Sequence, residues 1–234
     1  MKAVIWFAAV LVILSTQALG FGYFDAITNG TVLGGFSPYT VALGTVRAVG
    51  ASEPASMFTN PAQLASHPFT AQLSGSSISW AERVIESDID KTLRTLMTNN
   101  SGMAAVVYPA GGITIGAGIA KVVEFGYEGM SLIYDDPDDP EIGVAILNSE
   151  GSQIEVMGSV SMVISGPLSA GFSGGSRLTS VDYQYNFNSY HFLIPDSSCS
   201  WVKENSEFAW HAGLSLNGDI FKSGISYSSE TLYM

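Results

Sequence analysis

The residues Gly171-Phe172-Ser173-Gly174-Gly175 have the G-x-S-x-G spacing of a nucleophile elbow. Asp182 or Asp196, and then His211, follow in the chain order that an α/β-hydrolase uses for acid and base. That chemistry needs the serine on a sharp strand-to-helix turn. Here both flanks alternate like strands, and in a chain with 25 glycines the spacing arises readily by chance, so no catalysis is expected. Asp135, Asp136, Asp138, Asp139 and Glu141 crowd five carboxylates into one short run, and their oxygens are candidate Ca²⁺ ligands. The run lacks EF-hand spacing, and Pro137 and Pro140 keep it extended, so a solvated loop accounts for it more simply. His67, His191 and His211 show no metal-ligand spacing. No cofactor is expected.

A third group is conformational. In Met57-Phe58-Thr59-Asn60-Pro61-Ala62-Gln63-Leu64, Asn60 can cap a helix by accepting a backbone N–H. Pro61 then falls at the first helical position, where its missing N–H costs nothing. Ala62 to Ala65 are good helix formers, and Pro68 cannot continue the helix. A very short, sharply started helix is expected there.

The elements around these residues are set by composition and periodicity. The opening MKAVIWFAAVLVILSTQALG has one basic residue, an apolar run over residues 3–14 and small residues at Ala18 and Gly20. It reads as a secretory signal peptide over residues 1–20. Cys199 is the one cysteine, so no internal disulfide framework is expected. The net charge is −12, and −13 without Lys2 (8 basic residues against 21 acidic), which argues against nucleic acid as a partner. The chain is 47% hydrophobic but only 13% charged, against about a quarter charged in an ordinary soluble domain. Few charges, much glycine and no internal apolar run of helical span length point to an antiparallel transmembrane β-barrel, with a soluble β-sandwich as the competitor.

Residues 21–68 are rich in small residues and lack alternation, as a compact segment of turns and short helices would be. From Phe69 two-residue alternation begins. Val84, Ile85, Ile89, Leu93, Leu96 and Met97 fall at helical spacing and predict an amphipathic helix starting near Ser87 or Asp88. Beyond it, about seven strands of nine to twelve residues are expected, the length a tilted membrane strand needs. Ile154, Val156, Val160 and Met162 oppose Gln153, Glu155, Ser159 and Ser161. Leu168, Ala170 and Phe172 set one register, and Val181, Tyr183 and Tyr185 a later one. Phe208, Trp210 and Leu214 oppose Glu207 and His211, and Asn217-Gly218 is a strong hairpin signal. Short turns at residues 109–112 and 166–167 alternate with long loops expected over residues 126–152 and 188–206, the outer-membrane pattern. On this register Glu155, His211 and Lys222 are expected to line the lumen. Tyr183, Trp201, Trp210 and Tyr227 would form interfacial girdles or ordinary strand packing.

A signal peptide, a small-residue segment, ASMFTNPAQLA and then strands together resemble the N-terminal half of the long-chain fatty acid transporter (FadL-like) superfamily of outer-membrane proteins, which includes a PorV-like branch. The matching positions are Asn60, Pro61 and Ala62, with Ser76 to Val84 similar to a Trp-containing first strand. The resemblance implies an N-terminal plug over residues 21–68, with Asn60, Pro61 and Ala62 as its motif, inside barrel strands over residues 69–234. Those strands are fewer than the fourteen of such a barrel, so a missing C-terminal half is expected. The location implied is the bacterial outer membrane. The function implied is passive transport of hydrophobic, fatty-acid-like small molecules, with the ligand and membrane lipid as partners. The alternatives are a PorV-like scaffold that tethers or shuttles a secreted protein, and a secreted soluble β-protein or adhesin.

Overall fold

The computed structural model describes residues 31–32, 53–86, 91–133, 142–190, 194–218 and 222–229. They form one antiparallel sheet and two single turns of 3₁₀ helix, Pro54–Phe58 and Pro61–Leu64. The strands are β1 (Thr31–Val32), β2 (Thr70–Glu86), β3 (Lys91–Ala110), β4 (Ile113–Glu124), β5 (Tyr127–Ile133), β6 (Gly143–Ser165), β7 (Leu168–Ser189), β8 (Ser197–Asn217) and β9 (Lys222–Ser228). The all-β expectation holds.

The topology is a meander. β4 and β5 each pair with both β3 and β6, so they act as one strand broken at residues 125–126. Counted this way, seven antiparallel rungs run from β2 to β9. Six antiparallel steps separate the two edges, so β2 and β9 run in the same direction. Among the described residues they do not pair, and the sheet is not closed into a barrel. Glycines with positive φ make the tight hairpins: Gly111 and Gly112 (φ 60° and 100°) between β3 and β4, and Gly166 (φ 51°) between β6 and β7. The β8–β9 connection is longer than the Asn217-Gly218 signal implies, because Asn217 pairs with Lys222.

Three expectations are corrected. Val84 and Ile85 lie in β2, and Leu93, Leu96 and Met97 in β3, within a ladder that pairs Thr70 with Val107 and Glu86 with Lys91. No helix forms over these residues, since apolar residues three and four apart are compatible with strands once a long hairpin satisfies the backbone; Ser87 and Asp88 lie outside the described residues. Much of residues 126–152 and 188–206, expected as loops, is strand in β5, β6 and β8. The strands are accordingly longer than nine to twelve residues, reaching 23 in β6.

The two faces of the sheet carry opposite chemistry, and they exchange it part-way up the strands. Near the tight hairpins the concave face is buried and, over β6 to β8, mostly polar, with Glu155, Ser161, Ser173, Arg177 and His211 joined by Thr114 of β4, while β3 contributes the apolar Met103, Ala105 and Val107. The convex face there is apolar and exposed, with Ile115 on β4, Val160 on β6, Phe172 on β7, Leu214 on β8 and Ile225 on β9. Towards the far ends of the strands the pattern reverses. Ala145, Leu147, Val181 and Tyr183 are buried on the concave face, while Glu150, Asp182, Gln184 and Glu204 are exposed on the convex one.

One place breaks the regular wall. Met103 pairs with Ala120, and the next pairing of β3 is Met97 with Tyr127, so residues 98–102 lie opposite residues 121–126. The β4–β6 register shifts between Lys121 and Val123. Val122, Val123, Glu124 and Phe125 are consecutively buried, which a flat strand cannot achieve. Within this interval β1 pairs Thr31 with Glu124 and Val32 with Val123.

Candidate functional site

The two 3₁₀ turns sit against the concave face, and their residues are buried throughout. Asn60 is extended (φ −132°, ψ 91°), and its Oδ1 accepts from the Ala62 N–H at 3.2 Å. Pro61 occupies the first helical position. The sequence thus sets the local geometry as expected, although the helix is one 3₁₀ turn. The chain leaves it through Ala65 (ψ 128°) and Ser66, a non-glycine residue at φ 64°, before β2 begins.

The wall accepts these turns because its residues are small. The Asn60 Nδ2 donates to the Leu214 carbonyl of β8 at 3.3 Å. A Cβ on Gly213 would lie 1.9 Å from Asn60 Oδ1, and one on Gly171 would lie 2.4 Å from both Pro61 C and Ala62 N. Gly171 and Gly213 are paired across β7 and β8, so together they make one flat place on the wall. The preceding turn seats Met57 in the same way: a Cβ on Gly118 would come within 2.8 Å of Met57 Sδ. At the other end of the seat the Ala55 N–H donates to Gln72 Oε1 of β2 at 3.2 Å, and Gln72 Nε2 donates to Glu53 Oε2 at 2.9 Å.

Further along the same strands lies a charged layer. Glu155, Arg177 and Glu207 are direct cross-strand partners on β6, β7 and β8. Arg177 donates from Nε (2.8 Å) and Nη2 (2.6 Å) to Glu155 Oε1, and from Nη1 to Glu207 Oε1 at 3.1 Å. Its Nη2 also reaches the Ser229 carbonyl at 3.4 Å. The His211 Nε2–H donates to Glu155 Oε2 at 2.9 Å, the carboxylate fixing that tautomer. A buried carboxylate is tolerable only when paired and hydrogen-bonded in this way.

Of the residues singled out from the sequence, Glu155 and His211 are therefore brought into contact on the concave face. Lys222 shares the face of His211 but is exposed beside the β8–β9 connection, at the rim of the sheet. Asp135, Asp136, Asp138, Asp139 and Glu141 lie outside the described residues. Among the described residues, no group of three or more His, Cys, Asp and Glu is placed to hold a metal. Ser173 lies in the middle of β7, with strand on both sides and His211 as its β8 partner. Its Oγ is buried without a hydrogen bond, Asp182 points to the convex face, and Asp196 accepts from the Ser189 N–H at the far end of the strand. The elbow geometry is absent. Gly171 of that motif serves the Pro61–Ala62 seat instead.

Arg177 and Glu207 were not among the candidate site residues. Their signal is phase: Ser173, Arg177 and Thr179 share the concave parity of β7, and Glu207 shares that of His211 in β8. The chain matches no known family model and no curated protein.

Proposed function

We propose that this chain is an outer-membrane β-barrel protein of the FadL-like kind, in which the segment carrying Asn60-Pro61-Ala62 plugs the barrel and hydrophobic, fatty-acid-like molecules pass without energy input. One observation carries the reading: over the half of β6 to β8 nearest the tight hairpins, the buried face is mostly polar, with Met157 and Ala209 among its few apolar members, and the exposed face is apolar. A soluble sheet buries its apolar face. The reverse arrangement suits a wall whose outside meets lipid.

Three features support transport on that scaffold. The 3₁₀ turns press on β7 and β8 without a direct chain connection to either, being joined along the chain to β2. Beyond the charged layer and the Gln153–Thr179 pair the concave face carries Val181, Leu147 and Tyr183, the last stacked on Trp201 (centroids 5.0 Å apart), apolar surface with a few polar groups such as a pocket for an apolar ligand has. The irregular interval between β3 and β4, where β1 is paired, is a place for a sideways opening in the wall. In such a barrel β2 and β9 are paired by an odd number of further strands, since edges running in the same direction cannot close an antiparallel sheet on each other.

The test is fractionation of native membranes, with electrophoresis of the outer-membrane fraction before and after boiling. A heat-shifted band in that fraction, followed by release of a fluorescent fatty acid from vesicles carrying the protein, is expected. An unshifted band in the soluble fraction would overturn the barrel reading.

A further inference from the structure

The exchange of chemistry between the two faces has a definite position. On the convex side the row Lys121–Ile154–Leu178–Ser206 runs across β4, β6, β7 and β8 by direct pairing. Between this row and the tight hairpins, the described convex positions carry no charged side chain. The first row beyond it is Ser152–Ser180–Glu204, and the next brings Glu150 and Asp182. Among residues whose side chains are described, which above the row are those of β6, β7 and β8 and little else, 19 of the 22 exposed large hydrophobic side chains lie at or below the Ile154 row, and Tyr190, Trp201 and Val202 lie above it.

The concave face changes at nearly the same level. On β6 to β8 it is mostly polar below the row, with Glu155, Arg177, Ser173 and His211 against Met157 and Ala209; above the row the polar Gln153–Thr179–Asn205 comes first, and then Val181, Tyr183, Leu147 and Ala145 predominate over Ser149 and Lys203. A strand surrounded by water on its convex side packs an apolar inner face, and a strand facing hydrocarbon does not need one. From the row to the hairpin, residues 154–164 of β6 make eleven residues, and a tilted strand crosses a bilayer core in about 9–11 residues. The other half of β6 is left over.

We propose that lipid acyl chains meet this sheet only between the tight hairpins and the Lys121–Ile154–Leu178–Ser206 row. The parts of β6, β7 and β8 beyond that row stand in water as an annex to the membrane-embedded wall. This rests on the barrel reading and adds to it where the bilayer ends. The partner of the convex apolar surface is hydrocarbon, because the surface is uncharged, continuous over β3 to β9 and one bilayer core in height. The annex, with its apolar side chains inside and its carboxylates outside, places Tyr183 and Trp201 where a hydrophobic ligand would first leave water.

Trp210 and Trp201 test this directly. Trp210 lies on the convex face of β8 below the row, between Phe172 (6.3 Å) and Tyr227 (5.3 Å), whereas Trp201 lies above it on the concave face. The full chain, with Trp6 and Trp80 replaced by Phe and only Trp210 or only Trp201 retained, is inserted into phosphatidylcholine vesicles with brominated acyl chains. At least twofold quenching of Trp210, with Trp201 unchanged from unbrominated vesicles, is the expected result. Quenching of both would overturn the boundary and leave the barrel reading standing. Quenching of neither, or of Trp201 alone, would overturn the boundary, and the first of these would remove the barrel reading as well. A second measurement does not depend on tryptophan substitution. In a Cys199→Ser background, Asp182→Cys and Glu204→Cys should react with a membrane-impermeant maleimide at least tenfold faster than Val160→Cys and Leu214→Cys. Equal rates in all four would overturn the boundary.

Discussion

Gly171→Ala is the smallest change that addresses the seat of the Asn60-Pro61-Ala62 turn. The added methyl carbon would lie 2.4 Å from Pro61 C, 2.4 Å from Ala62 N and 2.6 Å from Pro61 O. Ordinary contact begins near 3.4 Å, so something must move by about 1 Å. The obstructing atoms are backbone, and they cannot rotate away as a side-chain tip would. Overpacking of this kind costs about 1–3 kcal/mol. Moving the turn off the wall also breaks the Asn60 Nδ2 donation to Leu214, already 3.3 Å long, for about 0.5–1.5 kcal/mol more. A total of about 1.5–4.5 kcal/mol raises the unseated fraction by roughly 10- to 1,600-fold. Gly158→Ala is the control: it lies on the neighbouring strand, and its Cβ would meet nothing nearer than 3.9 Å. The assay is limited proteolysis of residues 53–68 in the folded, membrane-inserted protein, together with uptake of a hydrophobic fluorescent dye. Gly171→Ala should be cut and should admit dye much faster than Gly158→Ala. Equal rates for the two variants would refute the claim that this glycine is the seat of the plug.

Other expectations follow from the same geometry. Asn60→Ala removes the bond to Leu214 and the cap on Ala62, and should lower stability by about 1–3 kcal/mol, read as a lower temperature for the heat-shifted band. Arg177→Met leaves Glu155 buried without its cation and should cost about 3–5 kcal/mol; pairing it with Glu155→Gln should recover at least half of the lost melting temperature. Val160→Arg on the convex face should cost about 2–4 kcal/mol in a folding titration into bilayers, while Gln184→Arg, above the Ile154 row, should be near neutral. Gly213→Ala drives its methyl into Asn60 Oδ1, a side-chain atom, so it should unseat the plug less than Gly171→Ala does in the same proteolysis assay.

Much of this was legible in the sequence where local rules act alone. Asn60 and Pro61 dictate a helix start whatever surrounds them, and the structure has one. Alternation along β6 and β8 placed Glu155 and His211 on the buried face. The misreadings arise where two patterns overlap. Val84 to Met97 carries helical spacing inside what is a strand hairpin, because pairing over a long ladder satisfies more backbone than a short helix could. Along β7 the sequence offers Phe172 and then Val181 as apolar positions of opposite parity, which reads as two strands in two registers. The strand is continuous, with Phe172 exposed on one face and Val181 buried on the other. Neither Arg177 nor Glu207 could be paired from sequence, since their meeting depends on the β7–β8 register.

The arrangement also separates two tasks on the same three strands. The charged layer of Glu155, Arg177 and Glu207 ties β6, β7 and β8 to one another, through bonds that do not involve the plug. Close by, the Gly171–Gly213 place on the wall receives the Asn60 turn by shape, and the Asn60 side chain bonds the Leu214 backbone carbonyl. Displacing the turn therefore costs contact and the neutral hydrogen bond to Leu214, while the ion pairs among Glu155, Arg177 and Glu207 join the strands to one another. Had Arg177 bonded the turn instead, every opening would have left a buried carboxylate without its partner, a cost of several kcal/mol. On the proposed barrel reading, a glycine- and serine-rich wall whose buried charges on β6, β7 and β8 bond one another is the composition that would let a plug move while the strands hold.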